Sequence, residues 1–293
     1  MCKVCGCGQA EIRHDHDHHD HHDHDHDHDH AHVQGHAHGS GLHDYGSGAA
    51  GVHVPGLSQA RIVQIEQDIL AKNDGYAYAN RARLADAGAL ALNLVSSPGS
   101  GKTTLLTATL ARLRERCTLA VIEGDQQTEN DAERVRATGV PAIQINTGKG
   151  CHLDAHMVGH AMDALPLARG GVLFIENVGN LVCPASFDLG QHRNVTLLSV
   201  PEGDDKPAKY PVMFRAADLS LLTKTDLLPY IGEFSPERAR GALRQIGFDG
   251  ETIELTSRGG PGFEAWIAWL DREVAAQRER AARGESARPR PER

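Results

Sequence analysis

The chain has 293 residues and a formal net charge of −9, and most of that charge comes from Asp residues within residues 14–32. Because the rest of the chain is close to neutral, the composition excludes the basic surface of a nucleic-acid-binding protein. No apolar run reaches the roughly 18 residues that a membrane span requires, and no apolar signal core lies near the first residue. We therefore expect a cytoplasmic protein without a membrane span.

Residues 1–12 form a cysteine-rich head in which Cys2, Cys5 and Cys7 follow the spacing C-x-x-C-G-C. Cysteines of a cytoplasmic chain stay reduced, so these thiols are interpreted as metal ligands before disulfides. Three sulfurs are one fewer than a tetrahedral structural zinc site uses. The terminal amine would complete a planar set suited to Ni²⁺, whereas a distant fourth ligand would complete a tetrahedral set suited to Zn²⁺. A redox C-x-x-C is the competing interpretation, although no strand and helix surround it.

Residues 13–56 are expected to be a disordered tract and linker, rich first in His and Asp and then in Gly, Ser, Ala and His. Asp alternates with His here, unlike the uninterrupted His run of most purification tags. Many interchangeable imidazoles favour metal capacity over geometric selectivity. We therefore predict a metal buffer that consists of His14, His16, His18, His19, His21, His22, His24, His26, His28, His30 and His32.

Residues 57–274 are expected to form one α/β domain. Ser58 can cap a first helix, whose apolar residues recur at helical spacing at Ile62, Ile65, Ile69 and Leu70. Seven short apolar runs then alternate with amphipathic segments, at residues 90–95, 118–123, 141–146, 171–176, 195–200, 219–224 and 251–255. Runs that are apolar on both faces predict a mostly parallel sheet flanked by helices. Residues 275–293, rich in Arg, Glu and Pro, are expected to be a disordered tail.

The first apolar run leads into SSPGSGKTT, residues 96–104, and a helix-forming segment follows. This is the phosphate-loop pattern G-x-x-x-x-G-K-[ST], except that Ser96 takes the first Gly position. Gly residues let backbone N–H groups surround an anion, Lys102 can reach the outer phosphates, and the Thr103 hydroxyl can bind Mg²⁺. The fold class is therefore predicted to be that of a P-loop NTPase. The predicted phosphate-binding residues are Ser97, Pro98, Gly99, Ser100, Gly101, Lys102, Thr103 and Thr104.

Acidic residues end the next predicted strands, in VIEGDQQ and FIENVGN. Mg²⁺ requires oxygen ligands, and phosphoryl transfer requires a group that senses the outer phosphate. We assign Asp125 to the Mg²⁺ shell and Glu176 to the positioning of a water molecule, either free or bound to Mg²⁺. Gly179 completes an E-x-x-G pattern where many GTPases have D-x-x-G, a switch whose Gly N–H meets the terminal phosphate. With Lys102 and Thr103, the two acids are the predicted catalytic residues.

The segment LLTKTDLLPY predicts which base the site prefers. The carboxylate of Asp226 only accepts hydrogen bonds, so it should prefer guanine, whose N1–H and 2-amino groups are donors, to adenine. The stem of Lys224 can lie along the base, and Ser257 is a further candidate contact. Thr223 stands where the usual N-K-x-D motif has Asn, which leaves the rigidity of this loop an open point.

A second metal site is predicted inside the folded domain. Cys151 and His152 follow TGKG, where we expect them to open a helix, and Cys183 lies just beyond the E-x-x-G pattern. Adjacent Cys and His can bind one ion when the fold brings a third ligand, and a ligand joined to a phosphate-sensing segment would move with the nucleotide state. His156 and His160 are expected on one helix face with His152, as extra ligands or as a solvated stripe, and the stripe is favoured.

Together, these motifs resemble the HypB family, the nickel-incorporation GTPases of hydrogenase maturation. The resemblance covers the head and residues 57–272, through MCKVCGC, SSPGSGKTTLL, VIEGDQQT, TGKGCHLDA, ENVGNLVCPASFDLG, VPEGDDKPAKYP, TKTDLLPY and GFEAWIAWL. It implies high-affinity Ni²⁺ binding by the three Cys of the head, and a weaker Zn²⁺ or Ni²⁺ site at Cys151, His152 and Cys183. It also implies slow hydrolysis of GTP to GDP and phosphate, and a GTP-promoted homodimer. The implied partners are a HypA-type nickel metallochaperone and the precursor of the [NiFe]-hydrogenase large subunit.

Residues 57–274 would then be a GTPase domain with an inner metal site, in a protein that stores and delivers Ni²⁺. Three alternatives stay open. A urease-maturation GTPase would have Cys-Pro-His in its metal motif, whereas Cys183 is followed by Pro184 and Ala185. A small-molecule kinase would need an Arg-rich lid and is disfavoured by Asp226. A pure nickel store would carry a vestigial nucleotide site.

Overall fold

The computed structural model describes residues 58–125, 130–148, 150–166 and 169–285. Three predicted features lie outside these residues: the ligands Cys2, Cys5 and Cys7, the His buffer within residues 14–32, and the end of the tail, residues 286–293. The predictions made for these segments therefore remain predictions.

Strands and helices alternate along the described part of the chain, as the alternation of apolar runs and amphipathic segments predicts. The strands are β1 (Leu90–Ser96), β2 (Leu119–Asp125), β3 (Ala142–Asn146), β4 (Val172–Glu176), β5 (Arg193–Ser199), β6 (Leu219–Thr223) and β7 (Glu251–Glu254). The α-helices are α1 (Gln59–Asp86), α2 (Lys102–Leu113), α3 (Asn130–Arg136), α4 (Ala155–Asp163), α5 (Lys206–Lys209), α6 (Pro211–Arg215), α7 (Pro236–Gln245) and α8 (Pro261–Ala282). Short 3₁₀-helices cover Cys183–Ser186, Val200–Glu202 and Thr225–Tyr230.

The strands form one parallel sheet in the order β3-β2-β4-β1-β5-β6-β7. Each strand overlaps one of the seven predicted apolar runs, so the predicted parallel sheet flanked by helices is confirmed. The central strand β1 lies between β4 and β5, and all of its residues are buried. Because parallel strands end at the same edge of a sheet, the segments that follow β1, β2, β4 and β6 come together there.

Helices cover both faces of the sheet, which explains why the strands are apolar on both sides. On one face, Leu92 of β1 belongs to a buried cluster with Leu110 of α2 and Trp266 of α8. On the other face, Ala91 belongs to a buried cluster with Leu84 of α1. Each fully buried Leu stabilises the fold by about 1.5–3 kcal/mol relative to an exposed one.

Helix α1 begins where the sequence predicts, directly after Ser58. The Ser58 hydroxyl accepts a hydrogen bond from the Arg61 amide at 3.3 Å, the interaction expected of a residue that caps a helix. Helices α1 and α8 have 28 and 22 residues, but no helix in the described part of the chain is long and apolar enough to cross a membrane.

Helix α8 continues to Ala282, so the predicted disordered tail from residue 275 is wrong for residues 275–282. The prediction weighed the charges of this segment and overlooked its Ala residues, which are strong helix formers. The Gln277 side chain is buried, and Arg278 donates to the Gly170 carbonyl at 2.9 Å. These contacts hold the last turns of the helix, which ends before Gly284 in the left-handed conformation.

Candidate functional site

A cavity of about 500 Å³ lies at the carboxyl edge of the sheet, between the ends of β1, β2 and β4. Segments that are far apart in the sequence form its walls because parallel strands deliver their ends to one place. The cavity is lined by Pro98, Gly99, Gly101, Lys102, Thr103, Thr104, Glu123, Gly124, Asp125, Arg134, Glu176, Asn177, Val178, Gly179 and Lys224. The structure therefore brings together the predicted phosphate loop, residues 96–104, and the two predicted acids.

The backbone of the phosphate loop turns through Gly99 and Gly101, whose φ angles of 75° and 98° lie in the left-handed region. The loop leads directly into α2, so helix N–H groups point toward the cavity. The Lys102 ammonium donates to the Ser96 hydroxyl at 2.9 Å, and the hydroxyls of Ser96 and Ser100 are hydrogen-bonded to each other. Ser96, at the first Gly position of the pattern, thus adds a side-chain anchor for the lysine.

Two glutamates lie side by side near the ends of adjacent strands. Glu123 of β2 and Glu176 of β4 are register partners, and both side chains are almost completely buried. The Thr103 hydroxyl donates to Glu176 Oε1 at 2.7 Å, and Asp125 lines the same cavity. Hydroxyl and carboxylate oxygens are the ligands that Mg²⁺ prefers, so these residues fit a magnesium ion. The sequence showed Glu123 as an acid at a strand end but gave it no role.

The E-x-x-G segment packs directly on the phosphate loop. A Cβ atom built on Gly179 would lie 3.0 Å from the backbone of Pro98, which is closer than such atoms normally approach. A side chain at this position would require Pro98 or Gly179 to shift by a few tenths of an ångström. Gly179 and Pro98 of the phosphate loop are therefore in close contact.

The end of β6 is also fixed to the phosphate loop. The Thr223 hydroxyl donates to the Ser100 carbonyl at 2.8 Å, and the Lys224 ammonium donates to the Gly99 carbonyl at 2.6 Å. Lys224 has a φ of 58°, an uncommon left-handed conformation for a residue with a side chain. Thr223 thus connects this loop to the phosphate loop through a side-chain hydrogen bond even though it is not Asn.

Two of the predicted base contacts lie apart from this cavity. Asp226 and Ser257 are not among the residues that line it. Asp226 follows Lys224 in a 3₁₀-helix, and one of its carboxylate oxygens lies 3.6 Å from the guanidinium of the exposed Arg258. Ser97 and Ser100 are likewise absent from the lining, and Ser100 is completely buried.

The predicted inner metal ligands Cys151, His152 and Cys183 come together in a cluster that we call the metal triad. One ligand atom from each lies within 4.8 Å of the other two, and Cys151 Sγ lies 3.5 Å from His152 Nδ1. The His152 ring packs on the Phe187 ring, with 4.1 Å between centroids. Burial lowers the pKa of His152, although the Asp154 carboxylate partly opposes the shift, so the imidazole stays neutral and able to bind a metal. Two sulfurs and one nitrogen suit Zn²⁺ or Ni²⁺.

The prediction that Cys151 and His152 open a helix is wrong. Helix α4 begins at Ala155, and Asp154 caps it by accepting a hydrogen bond from the Met157 amide at 2.8 Å. The capping preference of Asp was the signal that the sequence offered. His152 therefore lies in the loop of residues 150–154, which we call the metal loop, and outside the helix that carries His156 and His160.

A hydrogen bond that the sequence did not reveal joins the metal loop to the wall of the cavity. The side-chain oxygen of Asn177, the residue after Glu176, accepts from the Leu153 amide at 3.1 Å. Its side-chain nitrogen donates to Asn93 Oδ1 at 3.2 Å in the central strand. Two further buried amides, Asn194 and Gln191, extend this chain of hydrogen bonds through β5.

Two other contacts fix the metal loop to the same edge of the sheet. Asn180, one residue beyond Gly179, donates from its side chain to the Cys151 carbonyl at 3.3 Å. A Cβ atom on Gly124 would lie 2.7 Å from Leu153 Cγ, so Leu153 fills the space that this glycine leaves. The metal loop is thus held between the ends of β2 and β4, which also form walls of the cavity.

Comparisons with known proteins find relatives over most of the chain. Residues 90–246 match the family described as CobW/HypB/UreG, nucleotide-binding domain, a range that includes both the cavity and the metal triad. Hydrogenase maturation factor HypB of Azotobacter vinelandii is 57% identical over 282 residues, which cover 93% of this chain and 92% of that protein. HypB of Escherichia coli strain K12 is 58% identical over 232 residues, 79% of this chain and 80% of the relative. The crystal structure of HypB from Helicobacter pylori in complex with nickel has a TM-score of 0.66 and 40% identity, and covers 70% of this chain and 96% of that chain.

Proposed function

Because the chain belongs to the CobW/HypB/UreG family and, within it, to the hydrogenase maturation factors HypB, we propose that it is a GTP-hydrolysing nickel metallochaperone. It stores Ni²⁺ and delivers it for [NiFe]-hydrogenase maturation. The observation that carries this proposal is the hydrogen bond between Asn177 and the Leu153 amide, which joins a wall of the nucleotide cavity to the metal loop. The nickel in the Helicobacter pylori relative supports the choice of metal.

In this proposal the cavity binds the phosphates of GTP. Backbone N–H groups of residues 97–104 surround the phosphate oxygens, and Lys102 exchanges the Ser96 hydroxyl for the outer phosphates. Thr103 and Asp125 would hold a Mg²⁺ ion, which neutralises negative charge on the phosphates when it is bound. Glu176 orients the water molecule that attacks the outer phosphorus, and the products are GDP and phosphate. Guanine is held by Lys224 and Asp226, with Ser257 as a further contact.

The metal triad would hold Ni²⁺ or Zn²⁺ as cargo. Thiolates and a neutral imidazole are the donors that these ions prefer, and the partial burial of the triad slows exchange with solvent. The head would capture Ni²⁺ with Cys2, Cys5 and Cys7, and the His tract of residues 14–32 would act as a buffer. The head and the His tract are proposed as metal-binding segments from the sequence alone, because both lie outside the described residues.

Nucleotide exchange would change the triad through the E-x-x-G segment. When the outer phosphate is present, Gly179 is drawn toward it, and because Asn177 and Asn180 flank this glycine, their hydrogen bonds to the metal loop must adjust. Cys183 follows in the same segment, so one ligand of the triad moves relative to the other two. GTP hydrolysis then resets the geometry, which gives a release step controlled by the nucleotide.

The proposed partners are a HypA-type nickel metallochaperone, the precursor of the [NiFe]-hydrogenase large subunit and a second copy of the chain that associates when GTP binds. The proposed location is the cytoplasm. The names of the relatives, which are hydrogenase maturation factors, support the choice of the final nickel acceptor.

A maturation assay tests the proposal. A strain that lacks the gene for this chain is complemented with the intact chain, with Lys102→Ala, with Cys183→Ser or with a chain that lacks residues 14–53, at scarce and at replete nickel. We expect both point variants to fail to restore [NiFe]-hydrogenase activity when nickel is scarce, and the deletion to be defective only when nickel is scarce. Full activity of Lys102→Ala would instead support a nickel store without a nucleotide switch.

A further inference from the structure

Helix α1 carries two side-chain amides that the proposed function does not use. Asn73 and Asn80 are separated by about two helical turns, so they lie on the same face of the helix. Both residues are buried, with exposed fractions of 5% and 3%. Because a buried amide is costly unless its hydrogen bonds are made, the partners of these two residues show what this face of α1 holds in place.

Both amides bind the first residue after the metal loop. The Ala155 amide donates to Asn73 Oδ1 at 2.9 Å, and Asn80 Nδ2 donates to the Ala155 carbonyl at 2.7 Å. Both backbone polar groups of Ala155, the residue at which α4 begins, are therefore bound by α1. His152 of the metal triad lies only three residues before it. Two hydrogen bonds thus fix the end of the metal loop to α1.

The same two amides also bind the segment of residues 183–190, which we call the Cys183 segment because it begins with that ligand of the triad. Asn73 Nδ2 donates to the Asp188 carbonyl at 2.7 Å. Asn80 Nδ2 donates to the Leu189 carbonyl at 3.1 Å. Each amide therefore joins the end of the metal loop to the Cys183 segment.

Two further contacts fix the Cys183 segment against α1. The buried Arg81 guanidinium forms an ion pair with the Asp188 carboxylate at 2.7 Å. A Cβ atom built on Gly190, whose φ is 90°, would lie 2.6 Å from Asn80 Cβ, so this glycine lets the segment approach the helix closely. Three consecutive residues, 188–190, thus contact α1.

We propose that Asn73 and Asn80 are positioning residues of the metal triad. Two ligands of the triad belong to the metal loop and one to the Cys183 segment, and the two amides set the distance between this loop and this segment. They act through backbone groups of Ala155, Asp188 and Leu189 rather than as ligands. The inference rests on the proposed function, in which the triad binds Ni²⁺ as cargo.

The type of side chain supports a positioning role. An apolar residue could fill the same space but would not fix a distance, whereas the amide of Asn73 accepts from one segment and donates to the other. Ligands of a metal site must be held within about 0.5 Å of their productive geometry. Replacement of residues that orient metal ligands typically weakens metal binding about 10–100-fold.

Ni²⁺ titration tests the proposal in a full-length chain with Cys2, Cys5 and Cys7 replaced by Ser, in which thiolate-to-nickel absorption reports the triad. Asn73→Leu and Asn80→Leu keep nearly the same branched shape and remove the hydrogen bonds. We expect each variant to weaken Ni²⁺ binding at least about tenfold and to shift the absorption spectrum, because the geometry of the ligands changes.

Two controls separate this proposal from its alternatives. Cys183→Ser must abolish the absorption; if the parent chain shows no band, or the band survives this change, the triad does not bind nickel and both proposals are wrong. Thr109→Val removes a buried hydroxyl that accepts from Trp266 Nε1 at 2.9 Å on the other face of the sheet, and urea unfolding measures the stability lost. If the two Asn variants alter Ni²⁺ binding no more than Thr109→Val does, α1 only stabilises the fold and the positioning role is wrong.

Gly159→Ala is a second test that keeps both amides. Gly159 lies in α4, and a Cβ atom built on it would lie 2.8 Å from Asn80 Oδ1, so the added methyl group must displace this amide. Alanine is a better helix former than glycine, so the variant should stay folded even where the Leu variants do not. We expect severalfold weaker Ni²⁺ binding with the same spectral shift. Unchanged binding and an unchanged spectrum would contradict the role of Asn80.

Discussion

The side-chain oxygen of Asn177 accepts a hydrogen bond from the backbone amide of Leu153 at 3.1 Å. Asn177 directly follows Glu176 in the nucleotide cavity, and Leu153 directly follows His152 of the metal triad. Both residues are buried, so water cannot replace the bond without cost. We therefore expect a shift of Asn177 that accompanies a change of nucleotide to affect the metal loop.

The first prediction concerns this bond. Asn177→Ala should reduce the nucleotide dependence of Ni²⁺ binding at the triad, because the Leu153 amide loses its partner on the nucleotide side. The variant should also lose about 1–3 kcal/mol of unfolding free energy, since buried polar groups are left unsatisfied. Metal affinity measured with GDP and with a non-hydrolysable GTP analogue tests the effect. Asn194→Ala is the matched control, because it breaks the same chain of buried amides without contact to the metal loop; equal effects of the two variants would contradict a specific role for Asn177.

The second prediction concerns Thr223, which stands where related motifs have Asn. Thr223→Val removes the hydrogen bond to the Ser100 carbonyl and keeps the side chain almost the same shape. If the loss of this bond, about 1 kcal/mol, is taken from the binding free energy of GTP, the affinity falls roughly fivefold. Thr223→Ser keeps the hydroxyl and should bind like the parent chain. Thr196→Val, in the neighbouring strand β5, removes a buried hydroxyl away from the loop and should leave nucleotide affinity unchanged, as isothermal titration can show. Unaltered GTP affinity in Thr223→Val would mean that this bond does not organise the site.

The third prediction concerns the contact between Gly124 and Leu153. Gly124→Ala places a methyl group 2.7–2.9 Å from the Leu153 side chain, which is completely buried and cannot move aside. Such overpacking should cost about 1–3 kcal/mol and weaken metal binding at the triad although no ligand is changed. Leu153→Ala alone creates a cavity, and in the double variant the two volume changes should compensate in part. A double-mutant cycle of unfolding free energies should therefore show a coupling of at least about 0.5 kcal/mol, and strict additivity would contradict the contact.

The fourth prediction concerns His192 and the pH dependence of stability. Its Nδ1 accepts a hydrogen bond from the Ala91 amide at 3.0 Å, and burial, reinforced by nearby Arg residues, lowers its pKa to about 4. An unfolded chain titrates near the ordinary value of about 6.5, so between these two values the unfolded state binds more protons and stability falls as pH falls. The loss attributable to His192 between pH 7.5 and pH 5 should be about 2 kcal/mol.

Urea unfolding at the two pH values, compared between the parent chain and His192→Asn, measures this loss. The Asn side chain can still accept the Ala91 hydrogen bond but does not titrate in this range. Between pH 7.5 and pH 5, the unfolding free energy of the variant should therefore fall by about 2 kcal/mol less than that of the parent chain. An identical loss in both proteins would assign the pH dependence to other groups.

The fold could be predicted because its signals are local. Most strands are short segments rich in apolar residues, and the phosphate loop is a contiguous motif between a strand and a helix. The clustering of the triad could also be predicted, because Cys151 and His152 are adjacent and Cys183 follows the E-x-x-G pattern. Errors arose where two local signals competed, as at Asp154, whose capping role moved the helix start beyond His152.

Contacts that depend on register and on distant segments could not be predicted. Glu123 and Glu176 are neighbours because of the register between β2 and β4, and no local sequence pattern specifies that register. The hydrogen bond between Asn177 and Leu153 uses a backbone N–H group as its donor. Every residue except proline has such a group, so no residue type marks this contact in the sequence. Sequence patterns therefore identified three residues that the structure brings together, whereas the contacts between the metal loop and the cavity required the structure.

We expect the nucleotide state to change the affinity of the metal triad for Ni²⁺. The direct test uses a full-length chain with Cys2, Cys5 and Cys7 replaced by Ser, in which thiolate-to-nickel absorption reports the triad while the imidazoles of the tract contribute no such band. Cys183→Ser in this background must abolish the signal. We predict that the midpoints of Ni²⁺ titrations with GDP and with a non-hydrolysable GTP analogue differ at least about fivefold, a coupling of about 1 kcal/mol. Identical midpoints would contradict a GTP-switched release of nickel.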